Sequence, residues 1–182
     1  MIYDTKRLVL NPFTKKQITD EYLNWFNNPI VTRFNSHGLG SYIKQDAEKY
    51  LENSKDDIIF AVYEKDKYIH IGNISLQRIN YINRSAEFAC VFGKTEYWGK
   101  GYATESLKVL FEHGFNKLNL HRIWSGTAAP NIGMQKVFEK LGMMEEGKFF
   151  DGAWLNGQYH DIICYGLLAE EWRDNKKGEN EL

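Results

Sequence analysis

The chain has 182 residues, 43% of them hydrophobic and 15% aromatic, with only three prolines. That is enough to bury the core of one domain and leaves nothing that reads as a disordered linker. A net charge of −1 argues against a nucleic-acid partner held by phosphate neutralisation. The absence of an N-terminal apolar run predicts neither a signal peptide nor a membrane partner, so a cytoplasmic location is expected.

In a reducing compartment Cys90 and Cys164, each inside an apolar strand pattern, read as buried free thiols rather than a disulfide. No histidine and cysteine spacing suits a metal, and none is expected. The whole of 1–182 reads as a single domain, with the polar stretch Arg173 to Leu182 a frayed tail.

Taken in chain order, Ile2 to Phe13 reads as a first strand. Thr14 to Asn28 reads as a helix with Ile18, Tyr22, Trp25 and Phe26 on one side and Pro29 past its end. Ile30 to Tyr42, holding Gly38 and Gly40, reads as a loop, and Asp46 to Asn53 as a short helix. Ile58 to Tyr63 and Tyr68 to Ile79 form a predicted hairpin turning at Lys65-Asp66-Lys67. Ser85 to Phe92 is apolar and aromatic with one carboxylate, Glu87, set inside it, as in a mostly buried strand.

The segment after that strand carries the most information. Tyr97-Trp98-Gly99-Lys100-Gly101-Tyr102-Ala103-Thr104-Glu105 leads into a helical stripe of Ala103, Leu107, Leu110, Phe111, Gly114 and Leu118. Small residues at a strand-to-helix turn admit a close ligand, and the helix start offers unpaired N–H groups and a positive dipole end. That combination cradles an anion, most naturally phosphate. Two familiar phosphate loops are excluded. A dinucleotide fingerprint needs a third glycine where Thr104 stands, and the P-loop imitation at Gly93-Lys94-Thr95 has Phe88 where its first glycine belongs. Beyond the turn come a strand from His121 to Thr127, a helix opening at Asn131 and stopped by Gly142, and a last hairpin turning at Asn156-Gly157.

Trp98-Gly99-Lys100-Gly101-Tyr102-Ala103 resembles the pyrophosphate-binding segment of the Gcn5-related N-acetyltransferases (GNAT), Gln/Arg-x-x-Gly-x-Gly/Ala, with Trp98 replacing the usual polar first residue. Asn131 to Met143 resembles the family's later motif, an asparagine followed by a short helix ending in Lys-x-Gly-Phe. Thr5-Lys6-Arg7-Leu8-Val9-Leu10, Leu23 to Pro29, and Gly152 to Trp172 look like the RimJ/RimL-like branch, so the resemblance spans about residues 5 to 172. It implies an α/β fold with a mixed, mostly antiparallel central sheet, flanked by helices, whose two middle strands splay apart. It implies acetyl-CoA as co-substrate and the amine of a small molecule or a protein N-terminus as acceptor, in a monomer or homodimer. The cofactor-binding residues it implies are Cys90, Val91, Phe92, Trp98, Gly99, Lys100, Gly101, Tyr102, Ala103, Thr104, Asn131, Phe138 and Lys140.

Acetyl transfer to an amine needs a base, a stabilised carbonyl oxygen, a proton for the leaving thiolate, and alignment of both substrates. A protein α-amine titrates at about 7.7–8.0, so a modest base suffices. Glu87 is the first candidate, because a carboxylate among apolar neighbours is expected to have a raised pKa; the structural alternative is an ion pair with Arg84 or Arg78 at the sheet rim. A histidine titrates in the right range and His121 is the second candidate, although a histidine there also serves to cap a helix end or satisfy a backbone carbonyl. Glu105, in the first helical turn, reads as structural. Asn131 holds the cofactor's peptide groups, caps its helix, or does both.

The family's usual proton donors are missing, since Phe138 and Met134 stand where relatives place Tyr and Ser. Ser125, Thr127 and Tyr102 are the remaining hydroxyls, or the thiolate leaves unaided. Trp25, Phe34, Asn35 and His160 are expected at the acceptor, with Phe34 stacking on a base or sugar face and Asn35 and His37 bonding hydroxyls. Two functions compete: an N-acetyltransferase, acting on a polyamine or similar small amine, on a nucleotide-linked amino sugar or on a protein N-terminus, and a catalytically idle acyl-CoA-binding module.

Overall fold

Within the strand Ile58–Glu64 (β3) the side chains part company residue by residue. Phe60 and Val62 bury in one hydrophobic cluster and Ala61 in another, on the opposite face. This alternation of a strand with both faces covered sets a three-layer α/β/α arrangement. The structure, a computed structural model, describes residues 1–35 and 40–180, the last five by backbone alone.

The other strands are Tyr3–Asp4 (β1), Leu8–Pro12 (β2), Ile69–Asn80 (β4), Ser85–Phe92 (β5), Arg122–Ala128 (β6), Met144–Leu155 (β7) and Gln158–Leu168 (β8). Among the described residues they form one sheet ordered β1-β2-β3-β4-β5-β6-β8-β7. Every neighbouring pair is antiparallel except β5 and β6. The helices are Asp20–Asn27 (α1), Pro29–Thr32 (α2), Lys44–Asn53 (α3), Tyr102–Glu112 (α4), Ile132–Lys140 (α5) and Ala169–Asn180 (α6). The larger cluster takes Leu107, Leu110, Phe111, Phe138 and Trp172 from α4, α5 and α6. The smaller takes Tyr22, Trp25, Phe26, Val31 and Ala47 from α1, α2 and α3.

Four expected elements are revised, one of them the loop from Ile30 to Tyr42, whose first residues belong to α2, capped by the Asn28 side chain. The first strand is broken after Asp4, because the Thr5 hydroxyl bonds the backbone of Leu8 and turns the chain into a small hairpin. The first helix is preceded by a separate 3-10 turn at Lys15–Gln17, boxed by Thr14 and Gln17, and starts afresh with Thr19 as N-cap. The expected frayed tail is helical through Asn180. Trp172 anchors it against Phe111 and Phe115, and the Glu171 carboxylate accepts from the Leu168 N–H at its start.

The parallel β5–β6 pairing positions the site. It runs only from Ser85↔Arg122 to Glu87↔Trp124. Beyond that register the two central strands part, so β5 from Phe88 onward and β6 from Ser125 onward face an opening instead of each other. This is the splay the family resemblance implies.

Candidate active site

The opening is a cleft of about 620 Å³ whose walls come from six elements. Glu87 stands at its closed end, on the last residue pair before β5 and β6 separate. Cys90, Val91 and Phe92 continue one wall, while Ser125 and Thr127, both buried, continue the other. Asn131, Met134 and Phe138 of α5 floor it, and the turn before α4 closes the far end.

At that far end Gly99 and Gly101 have φ of +72° and +82°, a left-handed backbone that residues with a Cβ rarely adopt. No side chain among the described residues caps α4, so the N–H groups of its first turn lack the usual capping partner there. The expected Gln/Arg at the head of the turn is Trp98. Its indole Nε1–H donates to the Phe92 carbonyl at 2.7 Å, tying the turn to the end of β5.

A second restraint comes from far away in sequence. Arg7, between β1 and β2, donates from Nη1 to the Lys100 carbonyl at 2.9 Å, pairs with Glu105 at 2.6 Å, and lies 4.5 Å from the Tyr102 ring centroid. Glu105 also accepts from the Thr5 hydroxyl at 2.6 Å. Burial alone would raise the Glu105 carboxyl, but the bonds from Thr5 and Arg7 outweigh it and hold it below its ordinary value. The structural reading of Glu105 therefore stands, and Arg7 is a residue that sequence reasoning missed as a support of the turn.

On α5, Asn131 is a true N-cap. Its Oδ1 accepts from the Met134 N–H at 3.4 Å and its Nδ2 donates to Thr127 Oγ1 at 3.1 Å. The amide is held in place while still lining the cleft. Phe138 is 1% exposed, edge-on to Phe88 and against Tyr165. Met134 lies 3.7 Å from the Cys90 sulfur. Burial pushes the Cys90 thiol up to about 12, so it is a neutral wall group. Lys140 lines the cleft together with Lys136, one helical turn earlier, which the sequence reading left out although the i, i+4 spacing was its signal.

Four expected site residues are not brought into this cleft. His121 is exposed and precedes the Ser85↔Arg122 pair, so it sits at the end of β6 away from the opening. Its backbone N–H donates to the Arg84 carbonyl and its own carbonyl accepts from Ala169, which ties the main chain there to both neighbours. Trp25 is 4% exposed and belongs to the smaller core, against His70 and Tyr22. A Cβ on Gly93 would come within 1.9 Å of its indole, so that glycine serves packing and not phosphate. His160 pairs with Ala153 in the β7–β8 ladder, and the cleft takes Ile162 from that strand instead. The Lys100 ammonium lies 5.6 Å from the Tyr97 ring centroid, and its side chain is not part of the wall.

Phe34 and Asn35 do line the cleft, and Arg33 with them. His37 lies outside the described residues. Glu87 is not in the apolar surround expected for it. Its carboxylate, 22% exposed, is 2.9 Å from Nη1 of Arg78, the partner its structural alternative named. Arg78 has φ of +50° at a bulge in the β4–β5 ladder, which re-aims its side chain across β5. The ion pair and the place in the cleft coexist.

Residues 7–144 match the family model described as an acetyltransferase (GNAT) domain. The chain belongs to the GNAT acetyltransferase family. The "Putative ribosomal N-acetyltransferase YdaF" of Bacillus subtilis is 38% identical over 105 residues, 58% of this chain and 57% of that protein. The chain thus matches little more than half the length of that relative, whose name sides with the RimJ/RimL-like branch. The "Uncharacterized N-acetyltransferase YnaD" of the same organism is 31% identical over 172 residues, 92% of this chain and 97% of that one. Among solved structures, spermidine N-acetyltransferase from Vibrio cholerae in complex with CoA and spermine has a TM-score of 0.83 at 25% identity, covering 93% of this chain and 99% of the other.

GNAT membership brings acetyl-CoA as co-substrate and N-acetyl transfer as chemistry. The residues present suit that molecule. The uncapped α4 start and its two left-handed glycines offer N–H groups to a pyrophosphate, and Lys136 and Lys140 add positive charge from α5. No helix among the described residues is long and apolar enough to cross a membrane, and no group of three or more metal-binding side chains is found among them.

Proposed function

We propose that the chain acetylates the primary amine of a small molecule, of the size and polarity of a nucleotide-linked amino sugar, with Glu87 as general base. The observation that carries this is the position of Glu87: the one carboxylate among the described cleft-lining residues, at the fork where β5 and β6 part. Acetyl-CoA supplies the activated acyl group. Glu87 accepts the proton of the acceptor ammonium, and the Arg78 guanidinium at 2.9 Å fixes the carboxylate's direction. Asn131, locked by Thr127 and by its own helix, is placed to hold peptide groups along the cleft.

Of the three hydroxyls left open as proton donors, Ser125 and Thr127 stand buried on the β6 wall, whereas Tyr102 is held between Arg7 and Tyr97. Ser125 and Thr127 are therefore our candidate donors to the leaving thiolate. A small acceptor is favoured over a protein N-terminus because the β7–β8 turn is bonded to the residue that follows α2 and lines the cleft. Asn156, at the β7–β8 turn, donates from Nδ2 to the Arg33 carbonyl at 3.1 Å, so the hairpin tip meets the end of α2. A peptide needs an open edge or groove.

The test is thiol release from acetyl-CoA with purified protein and a panel of nucleotide-linked amino sugars, polyamines and N-terminal peptides. Turnover on an amino sugar, lost in Glu87→Gln, is the expected result. Acetyl-CoA binding without turnover on any amine would instead favour the idle-module reading, which the buried Phe138 and the thioether of Met134 at the usual donor positions allow.

A further inference from the structure

Charge divides the walls of the cleft unevenly. Among the described residues, its lining holds three cations, Arg33, Lys136 and Lys140, against the single carboxylate of Glu87, and that carboxylate already has Arg78 beside it. Lys136 and Lys140 belong to α5 and serve the cofactor's phosphates in the reading above. Arg33 comes from the opposite wall, contributed by the α2 segment. It is exposed, and no carboxylate among the described residues pairs with it. Its guanidinium lies over two aromatic rings, 4.8 Å from the Phe34 centroid and 5.6 Å from that of Trp98.

Cation–π contacts of this kind restrain the guanidinium without consuming its N–H donors, which suits two-point recognition of a carboxylate or phosphate. The backbone beneath is fixed. Val31 and Thr32 are buried, the Thr32 hydroxyl donates to the Asn28 carbonyl at 3.0 Å, and the Arg33 carbonyl is bound by Asn156. The sequence from Pro29 to Ile43 contains no Asp or Glu at all. A polycationic acceptor would bring its extra ammonium groups to a wall with no countercharge, at a cost that rises as water is excluded.

Resting on the acetyltransferase reading, we infer that the acceptor amine carries an anionic group, phosphate or carboxylate, and that Arg33 binds it. Arg33 is then the residue that separates such acceptors from polyamines. Spermidine, the substrate in the names of some relatives, is a poor acceptor for this chain.

The experiment compares glucosamine, glucosamine 6-phosphate, a uridine-diphosphate amino sugar, an amine bearing a carboxylate, and spermidine, using the full chain and acetyl-CoA. The expected kcat/KM is roughly tenfold or more higher for an anion-bearing amine than for glucosamine, and lowest for spermidine. Arg33→Gln erases that preference, the loss falling on KM for the anion-bearing amine, while the acetyl-CoA Kd stays at that of the unaltered chain. Arg33→Glu moves the preference toward spermidine. The phosphate and carboxylate arms show which anion is read.

Three outcomes overturn the inference: spermidine preferred by the unaltered chain, a preference for the anionic acceptor that survives Arg33→Gln, or a weakened acetyl-CoA Kd in Arg33→Gln, which would make Arg33 a cofactor contact. Failure of the acetyltransferase reading looks different, since no amine would then release thiol. Calorimetry of CoA-loaded protein with glucosamine 6-phosphate against glucosamine still decides the Arg33 question there, and equal binding of the two overturns it.

Discussion

The two ends of the cleft are built by different means. The cofactor end is a local device: a dozen consecutive residues, from Phe92 to Ala103, form a turn whose left-handed glycines and uncapped helix start are dictated by composition. The acceptor end is assembled from parts distant in sequence: Arg33 and Phe34 after α2, Glu87 on β5, Ile162 on β8 and the hairpin tip at Asn156. A local device tolerates little change inside it and much outside it. An assembled one depends on strand register, such as the three residue pairs by which β5 and β6 meet before parting.

That contrast can be tested by asking which end each substitution touches. The largest effect is expected at the acceptor end. Glu87→Gln lowers turnover by roughly 10²-fold or more near neutral pH, with partial recovery at high pH where the amine deprotonates in solvent. Acetyl-CoA affinity stays nearly unchanged, measured by calorimetry. Wild-type turnover in this variant would remove Glu87 from the mechanism.

At the cofactor end, Gly101→Val puts a branched side chain on a residue at φ +82°, with its Cβ 3.5 Å from the Arg7 guanidinium. Acetyl-CoA binding is expected to weaken by about tenfold, roughly 1.4 kcal/mol, with kcat at saturation little altered. Unaltered affinity in a variant with unchanged melting would place the phosphates elsewhere.

Arg7→Ala asks whether the local device is as self-contained as its sequence suggests. Losing the bonds to Lys100 and Glu105 should weaken acetyl-CoA binding several-fold and lower the melting temperature. It should also change the acid limb of stability. Because the folded Glu105 carboxyl is held below its ordinary value near 4.5, its contribution is full above that pH and is lost as pH falls through the folded value. The melting difference between Arg7→Ala and the unaltered chain should therefore shrink below about pH 4.5. A constant difference from pH 7 to pH 3 would show that the pair adds nothing to stability.

The smallest expected effect is none. Met134→Ser should not raise turnover, because the acceptor amine carries the harder proton problem at neutral pH. The loss of apolar contact with Cys90 should cost some stability. A several-fold gain in turnover would show that thiolate protonation limits the enzyme.

The sequence by itself determined most of the elements and the glycine-led turn before α4, since strand alternation, helical stripes and such turns are short-range properties of the chain. β5 falls at Ser85–Phe92, as its pattern requires, and Asn131 caps the helix it precedes. Side-chain direction across distance was not legible. Trp25 and His121 carry the right chemistry in plausible places, yet packing buries one against Gly93 and the parallel register leaves the other beyond the end of the cleft. Arg7 and Arg33 had no individual role in the sequence, and Arg78 was one of two candidate partners for Glu87; a hairpin, an aromatic shelf and a bulge aim them at the turn, the cleft and Glu87. Only the tertiary structure decided these, because a side chain's reach depends on which strands lie beside it, and that is fixed by pairings between residues far apart in the chain.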